Sequence, residues 1–289
     1  MPYSALQLAE AYLQAGELDE AIEALNQHIA ATPDDPSRRL RASILSRQPQ
    51  TDALQQALGD LDALATSTPQ DAILRSTIHQ KLGDDVGALE VVLTAHDRFP
   101  EDDRLTERCL YLLRMQGKIK EARALVATLQ KNWRWSQWAG DLARDDHALE
   151  DAVTHYSAAI DMLDTLYALD ARTPAGILKN DAMDEAIALT IMAVYARLRA
   201  VRGDIYEQSG DETKADEDFA IAQSILPDDP LIVLSRALLA AKQGAMDTAK
   251  DRCAEALTMA SDSLRQTYVL PRIYASPYSE LHALADRFS

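Results

Sequence analysis

The chain has 289 residues, 47% of them hydrophobic and 6% aromatic, with 46 acidic against 29 basic side chains and a net charge of −17. That balance argues against a general nucleic-acid or anionic-membrane binder, because both need a positive field. Its two cysteines, Cys109 and Cys253, each sit in an apolar helical pattern without a CxxC pair or a metal-spaced histidine, so both read as buried free thiols.

From the N-terminus, Met1-Pro2-Tyr3-Ser4 shows no basic stretch leading into an apolar one, and no run is long enough to span a bilayer. A cytoplasmic chain with no membrane contact is the expectation. Ala- and Leu-rich helix-forming segments follow, punctuated at fixed offsets. Gly16–Ala21–Pro33 recurs as Gly83–Ala88–Pro100 and as Gly210–Ala215–Pro227, while Gly117–Ala122 and Gly244–Ala249 keep the first pair. Gly83 to Gly117 is 34 residues, and so is Gly210 to Gly244. Such a period marks a helical repeat array, whose helix pairs bury their apolar faces against their neighbours.

Segment 2–35 keeps Tyr12, Gly16, Ala21, Leu25 and Pro33, with His28 where a small residue is usual. Segment 36–68 is the weakest, with a helix expected over about Asp52–Ala65 between Pro49 and Pro69. Segments 69–102, 103–131 and 133–166 continue the pattern. Segments 196–229 and 230–262 resume it. The tail 263–289, interrupted by Pro271 and Pro277, is expected to end in a short capping helix near Ser279–Arg287.

Segment 196–229 places Gly203, Tyr206, Gly210, Ala215, Phe219, Ala222 and Pro227 at repeat positions 8, 11, 15, 20, 24, 27 and 32. By these residues the chain resembles the tetratricopeptide repeat family. Small residues at 8, 20 and 27 let paired helices approach. Gly at 15 accepts the left-handed conformation that ends the first helix of a pair. Asp211 and Glu212 suit the positive end of the second helix, and Pro stops it. The resemblance implies an all-α, right-handed superhelical solenoid of antiparallel helix pairs, with about seven repeats. It divides the chain into repeats one to five over 1–166, an insertion over 167–195, repeats six and seven over 196–262, and a cap over 263–289.

Ala159 and Ala222 hold the same repeat position yet stand 63 residues apart, 29 more than one period. Apolar residues at Val153, Tyr156, Ile160, Leu163 and Tyr167 extend the helix before the insertion. Beyond the Arg172–Gly176 break, Asp181 reads as an N-cap. A helix of about Ala182–Gln208 then carries Ile187, Ile191, Val194, Leu198, Val201 and Ile205 in a coiled-coil-like seam. These two seams either satisfy each other or form a docking or dimerising hairpin, with Leu163, Tyr167, Ile187 and Ile191 as its candidate residues.

In the family, first-helix positions 2, 5, 6, 9, 12 and 13 line a concave groove. In repeats three to five these positions hold Lys81, Arg104, Arg108, Arg114, Arg134 and Arg144 against Glu107, Asp141 and Asp145, with Tyr111 and Trp138 among them. The groove is thus enriched in cations on an acidic chain. Arginine forks grip carboxylates and aromatics give rigid apolar contact, which suits an acidic or C-terminal peptide. The alternative is that these arginines pair with neighbouring acids. Arg104 and Arg108 match the basic pair of the family's chaperone-binding carboxylate clamp, but Leu74 stands where that clamp has asparagine. Trp133, Trp135 and Trp138 read as core packing or as recognition if Trp138 is exposed.

The chain has no GxxxxGK[ST], GxGxxG, GxSxG or HExxH motif. Its six histidines are scattered, and Asp34-Asp35 and Asp228-Asp229 read as turn and N-cap residues. The expectation is a non-catalytic protein-interaction scaffold without cofactor or metal that binds a peptide or protein. The alternative is a structural module that self-associates through the hairpin.

Overall fold

The computed structural model describes residues 5–167 and 185–288. Among these residues all regular structure is helical. The helices are α1 (Ala5–Ala15), α2 (Leu18–Ala31), α3 (Asp35–Leu45), α4 (Thr51–Asp62), α5 (Pro69–Lys81), α6 (Asp85–Arg98), α7 (Asp103–Met115), α8 (Ile119–Thr128), α9 (Trp133–Asp145) and α10 (Leu149–Tyr167). Further along the chain come α11 (Glu185–Gln208), α12 (Glu212–Ile225), α13 (Pro230–Lys242) and α14 (Met246–Met259). The tail forms α15 (Asp262–Leu264), a π-helical turn (Arg265–Val269), α16 (Leu270–Ala275) and α17 (Ser279–Ala285). The expected Asp181 N-cap lies outside the described residues.

Two compact units divide the chain, Met1–Leu125 and Val126–Ser289. In the first, α1 packs on α2, α3 on α4 and α5 on α6, with each pair joined to the next helix along the chain. In the second, α9 packs on α10, α11 on α12 and α13 on α14, and the tail closes over α13 and α14. The apolar cores are correspondingly local. Ala9, Ala21, Leu25, Ile29 and Ile44 form one across α1–α3. Ala143, Tyr156, Leu163, Ile191 and Leu198 belong to another across α9–α11.

Repeat punctuation acts as its chemistry requires. Gly16, Gly83, Gly117, Gly210 and Gly244 all have positive φ, between 69° and 84°. His147 takes the same place after α9 with φ 58°, a conformation costly for a residue carrying a Cβ. Helix starts are capped by side chains. Asp34, Asp84, Asp102, Asn132, Asp211 and Asp229 each accept from a backbone N–H just inside their helix, and Thr68 with Asp71 makes a capping box.

Buried aspartates pin adjacent helices. Asp60 of α4 receives the Arg41 fork at 2.5 and 2.7 Å, and Asp71 receives Arg39 at 3.0 and 3.1 Å. Asp218, 1% exposed, holds two arginines of α11 at once, Arg199 at 3.0 Å and Arg202 at 2.7 and 2.8 Å. Such pairs are expensive to break, because the surviving charge is left buried and uncompensated.

Two expectations about elements need correction. The helix drawn over Asp52–Ala65 ends at Asp62, because the Asp35 carboxylate accepts the N–H groups of Ala65 and Thr66 at 3.0 and 3.2 Å and draws them out of the helix. Pro271 does not interrupt the tail. It lies inside a continuous helical run, where the preceding turn has widened so that the Leu270 N–H reaches the Arg265 carbonyl. A π turn absorbs the ladder bond that proline cannot make. The capping helix itself closes at Ala285, two residues short of the expected end.

Candidate functional site

Of the eight groove residues expected from sequence, Lys81, Arg104, Arg108, Tyr111 and Arg114 lie in the first unit, and Arg134, Trp138 and Arg144 in the second. In the first, α7 packs beside α5, and Arg108 bridges them. Its Nε donates to the Ser76 hydroxyl at 2.9 Å and its NH2 to Gln80 Oε1 at 2.5 Å, with Thr77 Oγ1 at 3.4 Å. The guanidinium also stands 5.5 Å over the Tyr111 ring, a cation–π distance. All these partners are neutral. No carboxylate faces Arg108 among the described residues, and burial pulls its guanidinium below its ordinary value. Around it, Arg104 is exposed, as are Tyr111 at 41% and Met115 at 65%.

The contrast with other cations is sharp. Lys81 caps the end of α3, its Nζ donating to the Ser46 carbonyl at 2.6 Å. In the second unit Arg144 stands 3.6 Å from Asp141, and Arg134 lies 5.5 Å over the Trp133 ring. Trp135 is buried, while Trp133 and Trp138 are half-buried. Arg38, Arg39, Arg41, Arg75, Arg199, Arg202 and Arg236 all reach an aspartate. Within the expected cation stripe, Arg144 faces an acid, Lys81 a carbonyl and Arg134 a ring, while Arg108 is a half-buried guanidinium held by hydroxyl, amide and ring.

Sequence reasoning placed Arg108 on a groove position but missed Ser76, a buried serine on which Arg108 rests. A small hydroxyl one residue from a groove position was the available signal.

The hairpin residues divide by environment. Leu163 and Ile191 are buried against each other's helices in the α9–α11 core, and Tyr167 packs partly on the same cluster. Ile187 is 54% exposed, as are Leu166 at 64% and Leu189 at 52%.

Burial drives the Cys109 thiol up to about 12 and Cys253 to about 11, so neither forms a thiolate readily. Among the described residues no His, Cys, Asp and Glu cluster is arranged to hold a metal ion. No described helix is long and apolar enough to cross a membrane.

Residues 2–44 match the family model described as tetratricopeptide repeat. Over its length the chain is similar to the crystal structure of a tetratricopeptide repeat protein from Parabacteroides merdae, at 14% identity, with 98% of this chain and 97% of that one covered and a TM-score of 0.58. It is also similar to the human IFIT1 dimer with m7Gppp-AAAA, at 13% identity, 98% and 67% coverage and a TM-score of 0.52. No curated protein matches it in sequence. At these identities the likeness is one of fold.

Proposed function

Taking this chain as a tetratricopeptide repeat protein, with the family's repeat matched over residues 2–44 and its fold along the length, we propose that it is a non-catalytic scaffold that binds a peptide carrying carboxylates. The observation that carries this reading is Arg108. In a chain with a net charge of −17, a half-buried cation can readily find an acid, and Arg39, Arg41 and Arg75 of the same unit each reach an aspartate. Leaving a guanidinium partly desolvated without a counter-ion is unfavourable, and a ligand carboxylate removes that penalty through charge-assisted bonds. Arg104 lies one turn before Arg108 on α7, and exposed Tyr111 and Met115 lie beyond it, giving a second donor and an apolar contact beside the anion.

The fold itself accommodates more than one ligand class, as the IFIT1 complex with m7Gppp-AAAA illustrates for that protein. Here the acidic balance favours protein over nucleic acid, since phosphate binding rests on clustered positive charge.

A fluorescein-labelled Gly-Glu-Glu-Asp-Asp peptide with a free C-terminus tests the site by fluorescence anisotropy. Arg108→Met, which keeps the apolar stem, weakens binding by about tenfold, the effect of one charged contact near 1.4 kcal/mol. Arg144→Met, whose guanidinium already faces Asp141, leaves binding unchanged. Equal binding by Arg108→Met and the parent protein overturns the assignment.

A second reading, self-association through the α10–α11 pair, draws on the exposed Leu166, Ile187 and Leu189. Sedimentation velocity across a concentration series tests it, and a monomer at every concentration rejects it.

A further inference from the structure

The second unit contains a pocket that none of the groove arginines enters. Arg197, Ala200, Val201 and Asp204 follow each other at i, i+3, i+4 and i+7 on α11, so they share one face. Leu231, Ile232 and Ser235 of α13 oppose them, and Tyr268 of the π turn with Arg272 of α16 forms the third wall. The recess is open to solvent and holds about 270 Å³. A cavity of roughly 150 Å³ holds benzene, so this one has room for a complete aromatic side chain. Its lining is mostly apolar, with Arg197, Asp204, Asp229, Ser235 and Arg272 as its polar groups, a composition usual in ligand pockets.

Three features give the occupant its chemistry. First, the pocket is not isolated. A trough of about 500 Å³ continues from it along loop 226–230 and shares Arg197, Asp229 and Leu231 with it. A pocket opening into a trough fits an extended chain with one anchoring side chain better than a lone small molecule. Second, the charges at the mouth are largely matched. Asp204 accepts from Arg272 and from the Ser235 hydroxyl at 3.0 and 2.8 Å, and Arg197 stands 3.8 Å from Asp229. Asp228, exposed on the trough, forms no ion pair among the described residues, so the excess charge there is negative. Third, Tyr268 is 55% exposed on the π turn that accommodates Pro271. An aromatic ring held at the lip of an apolar pocket is poised to stack on whatever enters.

We infer that this pocket is a second recognition site, taking a large apolar side chain, best an aromatic one, from an extended peptide segment with a basic residue beside it facing Asp228. The two sites select opposite charge, the Arg108 site an acidic stretch and this pocket an apolar and basic one. The inference does not depend on the Arg108 reading, because all the residues involved belong to the second unit.

Acetyl-Lys-Phe-Lys-amide, titrated into the isotopically labelled full chain, tests it by backbone amide shifts. Changes are expected at Ala200, Val201, Ile232 and Ser235, saturating in the millimolar range. Acetyl-Lys-Ala-Lys-amide should bind at least tenfold more weakly, and acetyl-Glu-Phe-Glu-amide several-fold more weakly. Val201→Trp, which fills the pocket from a half-buried position, abolishes the response. Tyr268→Ala, at an exposed position that leaves the fold intact, reduces it several-fold, while Arg108→Met leaves it unchanged. Equal shifts with the Phe and Ala peptides, or shifts that persist in folded Val201→Trp and in Tyr268→Ala, overturn the inference. So does the absence of any response at saturating peptide.

Discussion

Gly203 lies within α11 directly against Phe219 of α12, and replacing it with alanine is a close test of how these helix pairs are built. A methyl group at Gly203 would sit 2.7 Å from Cε1 and 2.9 Å from Cδ1 of the Phe219 ring. Ordinary contact begins near 3.4 Å, so ring or helix must retreat by about 0.7 Å. Phe219 is 1% exposed, which leaves the ring nowhere to go. Overpacking of this kind costs about 1–3 kcal/mol, and removing a mid-helix glycine returns about 1 kcal/mol. The expected net loss for Gly203→Ala is up to about 2 kcal/mol. Gly59 provides the internal control, because it lies in α4 and an added methyl meets nothing within 4 Å. Gly59→Ala should therefore gain up to about 1 kcal/mol from propensity alone. Thermal unfolding followed by circular dichroism should show a lower Tm for Gly203→Ala and a higher one for Gly59→Ala, at roughly 2–4 °C per kcal/mol for a unit of this size. Phe219→Leu placed in the Gly203→Ala background should cost less than it does alone, since the two share one contact. A Gly203→Ala protein stabilised as much as Gly59→Ala refutes the close-approach argument.

Three further outcomes follow from other residues. His147→Gly relieves a positive φ at a side-chain-bearing residue and should stabilise the chain by about 1 kcal/mol, read as a rise in Tm. Asp218→Asn strips the counter-ion from both Arg199 and Arg202, which should cost about 3–5 kcal/mol in chemical denaturation, whereas Asp216→Asn, at an exposed pair, should change it little. The Ser37 backbone N–H and His28 hold the Asp34 carboxyl below its ordinary value of 3.8. Its folded-state value is depressed, so its contribution is complete above about that pH and is lost as pH falls through the lower folded value. Asp34→Asn should accordingly flatten the acid limb of Tm against pH below about 4.

The helix pairs were legible because the same residues solve the same steric problem in every repeat. Gly at the turn, Ala at the crossing and Pro at the exit each answer a local constraint, and local constraints are what a linear sequence displays. His147 escaped the reading because an exposed histidine looks ordinary until its backbone is seen to occupy the glycine's place. Pro271 misled for a related reason. Proline was read as a break, while the chain had an alternative in widening the preceding turn. Most of the candidate surface was less legible still. Lys81, Arg108 and Arg144 are equivalent in a list of cations, and what separates them is the Ser46 carbonyl, the neutral bed of Ser76 and Gln80, and Asp141. The apolar pocket was invisible to sequence, because Val201, Ile232 and Tyr268 meet only through the stacking of α11, α13 and the tail.

The locality of the apolar clusters bears on how such a chain is assembled. Each core joins helices that are near neighbours along the chain, so few contacts close long loops, and low contact order favours rapid acquisition of structure. Helix pairs emerging during synthesis can consolidate against the pair just completed, without waiting for the C-terminus.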